Sequence, residues 1–200
     1  MSVTLGVSKI GDWKKAAKIL MEAPERIEAA TKRALDQEAL FLVGEIKKKL
    51  RAGPFKPLAK TTLLLRKLKG RKGTKPLIAT SDMRNSVTKV NTDAGVFIGI
   101  PRTAMSKPKD GSQPVKYVDL ADIHEHGRTF AIRVTAKMRR FWFAVLFKGQ
   151  PPQGGGGGGS KGIIIIHIPA RPFVRPVFEA EKDNIAGRLE DRLVKLLGLA

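Results

Sequence analysis

The stretch PERIEAATKRALDQEALFLVGEIKKKL, residues 24–50, decides the fold. Leu35, Ala39, Leu42, Ile46 and Leu50 recur at spacings of four and three, and Ile27, Ala30 and Ala34 extend the stripe upstream. That spacing sets apolar side chains along one face of an α-helix, which then needs a second layer to cover it. Pro24 suits the first helical turn, where its missing N–H has no intrahelical partner to lose. Glu25 and Glu28 suit the positive N-terminal end, and Lys47, Lys48 and Lys49 the negative C-terminal end. Gly53-Pro54 stops the helix.

Downstream, Pro57–Lys69 predicts a second, short helix ending at Gly70, followed by a basic loop over Gly70–Pro76. Asp82–Val90 and Gly95–Ile100 predict two strands around a turn at Asn91–Ala94. Residues 101–116 form a loop exposed to solvent, and Tyr117–Glu125 a short helix closed by Gly127. Arg128–Thr135, Phe141–Phe147 and Ile163–Ile168 read as further strands. Between the last two lies residues 148–162, a flexible loop with six consecutive glycines at Gly154–Gly159. Pro169–Pro176 is a stiff, extended connection into an amphipathic helix over Val177–Leu197. The order implies one α+β domain over residues 1–200. An antiparallel sheet carries long N- and C-terminal helices, and a glycine-rich β-hairpin arm extends from it.

Composition narrows the chemistry. A hydrophobic fraction of 42% supports a core, and the absence of cysteine excludes disulfides, thiol nucleophiles and cysteine-ligated metal. Asp12, Lys14 and Lys15 interrupt the N-terminal stretch, so no secretory signal is expected there, and no run approaches the roughly 18 apolar residues of a membrane helix. A soluble chain made in a cytoplasm, with no membrane partner, is the expectation. Thirty-eight basic against eighteen acidic residues give a net charge of +20, a field that favours a polyanion or an acidic protein surface. The excess is concentrated. Lys47–Lys75 holds twelve Lys or Arg and no acid, with Lys47, Lys48, Lys49, Arg51, Lys67, Lys69, Arg71 and Lys72 as the candidate partner-facing set. Phosphates of DNA would suit them, but Phe55 alone supplies an aromatic in the tract, which disfavours single-strand recognition.

No catalytic, cofactor or metal site is expected. His124-Glu125-His126 offers ligand chemistry with Asp119 and Asp122 nearby, yet histidines at i and i+2 do not share a helix face. The favoured reading is a capping or hydrogen-bonding turn at Gly127. Gly154–Lys161 has glycines spaced as in a phosphate loop, but Ser160-Lys161 inverts the required order and a strand follows where a helix should. There is also no Gly-x-Ser-x-Gly elbow for a serine nucleophile.

The apolar strands point to assembly. Read as a strand, residues 141–147 turn Phe141, Phe143, Val145 and Phe147 one way and Trp142, Ala144 and Leu146 the other. Ile163, Ile164, Ile165 and Ile166 are equally two-sided. Strands apolar on both faces must be covered on both, either by helices of the same chain or by a neighbouring subunit. The glycine-tipped extension favours the neighbour, making Phe141, Trp142, Phe143, Phe147 and Ile163–Ile166 the candidate subunit interface.

Four pieces in order carry a family resemblance. They are the Pro24–Leu50 helix with Pro57–Thr62 and its basic stretch, and Pro76-Leu77-Ile78-Ala79-Thr80-Ser81 leading to Asp82–Ser86. Then come Tyr117 through His124-Glu125-His126-Gly127, and Ile168-Pro169-Ala170-Arg171-Pro172-Phe173-Val174-Arg175-Pro176 before the last helix. Together they span most of residues 24–197, and the chain resembles the virion morphogenesis and tail-completion proteins of tailed bacteriophages, including head–tail joining or neck subunits. Ser81 stands where that family usually has glycine. The resemblance implies a non-enzymatic virion protein, assembled in the bacterial host cytoplasm. It would form a homo-oligomeric ring, six-fold to match the tail or twelve-fold to match the portal. Its partners would be the portal or connector and the tail tube or terminator proteins, with genomic double-stranded DNA passing through the lumen. His124, Glu125, Gly127, Arg171, Pro172 and Phe173 would be structural signatures, Arg171 and Phe173 fixing the last helix against the sheet. The rival reading is a basic DNA-binding or packaging accessory protein. The glycine-rich loop and the 101–116 loop are local additions.

Overall fold

The computed structural model describes residues 13–71, 73–78, 81–107, 113–147 and 162–199, without the side chains of 13, 15, 16 and 142–147. Helix α1 runs Trp13–Ala52, and Pro24 sits inside it rather than in its first turn. The residues before the proline, WKKAAKILMEA, are mostly strong helix formers and carry the helix upstream, although Pro24 has no N–H to give the carbonyl one turn back. Gly53 ends the helix by donating its N–H to the Lys49 carbonyl at 2.7 Å. Helix α2 covers Lys60–Leu68, close to the expected span, and Gly70 closes it at φ 70°.

Two expectations fail locally. The first is the strand over Asp82–Val90: Asp82–Ser86 is a short helix, α3, and strand β1 begins at Thr88 and ends at Thr92. Asn85 donates to the Ser81 carbonyl, and the Ser86 hydroxyl bonds the Met83 carbonyl, so polar residues close a turn where no β-branched run exists. β1 pairs antiparallel with β2, Gly95–Gly99, in the register Thr92↔Gly95 to Thr88↔Gly99. The second is the strand over Phe141–Phe147, which is the C-terminal part of helix α5, Ala136–Phe147. Thr135 caps this helix, its hydroxyl accepting the Met138 N–H at 3.2 Å and its carbonyl the Arg139 N–H at 2.9 Å. The run Ala-Lys-Met-Arg-Arg after the cap propagates the helix into the aromatics.

Helix α4 spans Tyr117–His126, strand β3 Arg128–Arg133, strand β4 Ile163–Ile168 and helix α6 Arg175–Leu197. The class is α+β, with long N- and C-terminal helices. The described strands form two separate two-stranded antiparallel sheets, β1–β2 and β3–β4, rather than one. With 141–147 helical, β4 pairs with β3 instead, from Arg128↔Ile168 to Arg133↔Ile163. The hairpin arm therefore carries α5 and the glycine tract in its connection. No described helix is long and apolar enough to cross a membrane.

One core holds the body together. Leu42, Val43, Ile46 and Leu50 of α1 meet Leu77, Met83, Val87, Ile100, Phe173 and Val177, with Ile98, Tyr117 and Leu120 packed around them. The Lys89 ammonium on β1 bonds the Asp36 carboxylate on α1, tying sheet to helix. Helix α6 runs back along α1: Val177 lies in the core, and Arg188 and Arg192 reach Glu38. Glu38 is 4% exposed and sits inside the apolar stripe. Arg188 holds it at 2.6 Å, reaches Glu181 at 2.8 Å, and lies 4.5 Å over the Phe41 ring. Arg192 pairs with it through Nη1 at 2.6 Å by proximity, without an aligned hydrogen bond. Removing the carboxylate takes from Arg192 its acidic partner and leaves partly buried Arg188 with Glu181 alone. Glu38→Gln is expected to lower unfolding free energy by about 3 kcal/mol, read by urea denaturation.

Candidate functional site

The sequence signatures converge on one clasp. Helix α4 ends at His126, and Gly127 turns the chain at φ 75° and ψ 160°, a conformation that side chains disfavour. A Cβ here would stand 2.8 Å from the Ala170 nitrogen, so the close approach of the two backbones also requires glycine. Glu125 then faces the start of α6. Its Oε2 accepts the N–H groups of Phe173 at 2.9 Å and Val174 at 3.2 Å, and its Oε1 that of Arg175 at 2.8 Å. A helix start leaves such N–H groups unpaired and attracts negative charge, so a carboxylate from a distant segment caps α6.

Arg171 completes the clasp from the other side. Its backbone N–H donates to the His124 carbonyl at 2.6 Å, and its guanidinium donates to the Lys56 and Pro57 carbonyls at 2.9 and 3.2 Å. The side chain is buried and its pKa is lowered by that burial. Pro172 is exposed, while Phe173, wholly buried, enters the core. Arg171 thus fixes α6 to the 56–57 loop, and Phe173 fixes it to the core that α1 lines.

The triplet offers no converging ligands. Glu125 is committed to backbone N–H groups, His126 is exposed with Nδ1 3.1 Å from Asp122, and His124 is half-buried towards Arg171. Among the described residues no group of three His, Cys, Asp or Glu is placed to hold a metal. The His124 Nδ1 is buried without a hydrogen-bond partner among the described residues. Burial, and then the Arg171 charge, lowers the pKa of this ring.

The candidate interface residues divide. On the β3–β4 ribbon, Ile163 and Ile165 share one face with Thr129, Ala131, Arg133 and His167, and every residue of that face is exposed. The other face carries Phe130, Ile132, Ile166 and Ile168, all half-buried, with Ile164 partly exposed. Thr129 Oγ1 and His167 Nδ1 meet across the strands at 2.8 Å. Phe141 lies on exposed α5 surface away from the expected strand, while the side chains of Trp142, Phe143 and Phe147 and the glycine tract lie outside the described residues.

The basic candidates gather at the end of α1 and around α2. Lys47 and Lys49 are half-exposed, Lys48 pairs with Glu45 at 3.1 Å, and Arg51, Lys67, Lys69 and Arg71 are exposed; Lys72 lies outside the described residues. Arg66, not singled out in the sequence, organises the tract by donating to the Gly73 and Lys75 carbonyls at 2.9 and 2.8 Å. Its pKa is lowered chiefly by burial and then by the Arg71 and Arg171 charges. Glu38, Arg188 and Arg192 were also missed; the signal was a carboxylate inside one stripe opposite arginines spaced i, i+4.

No protein-family model, curated protein or solved structure matches the chain.

Two measurements test the clasp. Gly127→Ala is expected to cost about 2 kcal/mol or more, from a strained φ together with displaced backbone. Folding also favours neutral His124: as pH falls through its ordinary value of 6.5, the unfolded chain takes up the proton first and stability drops. Denaturation midpoints at about pH 7.5 and 5.5 should therefore differ more in the native chain than in His124→Gln.

Proposed function

We propose that the chain is a structural, non-enzymatic subunit of a tailed-phage virion. It builds a homo-oligomeric ring at the neck, completing the tail or joining head to tail between the portal-connector and the tail tube. The observation that carries this reading is the β3–β4 ribbon. Ile163 is 66% and Ile165 72% exposed on a face that nothing among the described residues covers. Full burial of one such side chain is worth roughly 1.5–3 kcal/mol, and an apolar ribbon left in water invites uncontrolled pairing. A two-stranded ribbon is marginal alone. Cover from identical copies around a closed ring supplies the missing layer at every subunit at once.

The clasp suits a building block: Glu125 and Arg171 are spent on fixing α6 and the 56–57 loop. The exposed cations Arg51, Lys67, Lys69 and Arg71 support a second contact, with an acidic connector surface or with the genomic DNA in the lumen. They also keep the rival reading, a DNA-binding or packaging accessory, in play.

Native mass spectrometry at about 150 and 500 mM salt, with and without duplex DNA, separates the two. The ring reading expects a DNA-free closed oligomer, six-fold or twelve-fold, that survives high salt. A monomer that gains mass only with DNA overturns it.

A further inference from the structure

The ribbon is not the only uncovered element. Among the α1 residues whose side chains are described, Ala30 is the first buried one; from Ala17 to Ala29 every residue is exposed except half-buried Ala23. At 1.5 Å per residue, the helix from Ala17 to Ala29 runs about 20 Å ahead of Ala30. Leu20, Ala23 and Ile27 continue, at spacings of three and four, the stripe that the body covers from Ala30 and Ala34 onward. Leu20 is 73% and Met21 81% exposed. A single helical stretch is marginal in water, and Pro24 inside it makes this one weaker still.

Resting on the ring reading, we propose that this N-terminal arm of one copy lies along the outward face of the β3–β4 ribbon of the next. Each element is what the other lacks. A ribbon with one apolar face is stabilised by a helix laid across it, and a helix with one apolar stripe by a sheet. Their lengths agree, since six-residue strands extend about 20 Å. Leu20 and Ile27 meet Ile163, Ile165 and Ala131 at the centre of the contact. Because arm and ribbon are different patches of one chain, the contact is heterologous, and each copy gives one arm and receives another.

The chain has no cysteine, so introduced pairs are unambiguous. Leu20→Cys is mixed with Ile163→Cys, Ile165→Cys or Ala131→Cys under mild oxidation, and with Ile132→Cys as the opposite-face control. A mixed disulfide between arm and outward-face variants is expected, with no bond to the control. Combining Leu20→Cys with the best ribbon partner in one chain should give a covalent ladder ending at the ring. Leu20→Asp should raise the concentration needed for half-assembly about tenfold or more, the effect of losing one buried anchor. If the oligomer forms but the disulfides are absent, or join Leu20→Cys only to itself, the arm-on-ribbon contact is wrong and the ring reading stands. If no oligomer forms, both fall.

Discussion

Three successive backbone N–H groups, those of Phe173, Val174 and Arg175, converge on the carboxylate of Glu125. The rest of the body depends on that convergence. It fixes where α6 begins, and so delivers Phe173 and Val177 into the core beside Ile46 and Leu50. From that start α6 can lie antiparallel on α1, with Arg188 and Arg192 brought to Glu38. Arg171 anchors the same segment to the 56–57 loop, which joins the basic region to the body. A carboxylate binding neutral N–H groups at a helix start gains from the helix dipole without needing a counter-cation.

The core built this way is confined to one part of the chain. It joins the C-terminal half of α1 to β2, α3, α4 and the start of α6. The front of α1 and the outward face of the β3–β4 ribbon lie beyond it, exposed among the described residues. Ordinary monomers scatter single apolar residues on their surfaces, but contiguous ones on regular elements mark contact sites. The cations occupy a third region, around α2 and the end of α1. The proposed ring subunit would use the apolar regions to hold like copies together and the cationic one to face an acidic partner.

Much was legible in the sequence because local rules set it. The stripe from Leu35 to Leu50, the stop at Gly53, the short helix before Gly70, the β2 strand, the isoleucine strand and the last helix all follow periodicity and breakers. Where reading went astray, a local signal was ambiguous. Phe141–Phe147 is apolar on every face, so period alone cannot separate strand from helix; Thr135 and the helix formers behind it decided. Pro24 marked no boundary because good helix formers precede it.

By itself the sequence determined the α+β class, the placement of most helices and the concentration of charge. Those features depend on neighbours a few positions away. Only the tertiary structure decided that Glu125 caps a helix some fifty residues downstream, that Glu38 is buried between two arginines, and that β4 pairs with β3. It also decided that the front of α1 reaches past its cover. Each of these joins residues far apart in the chain, and such pairings are set by which surfaces fit and which polar groups can be satisfied together, information no local pattern contains.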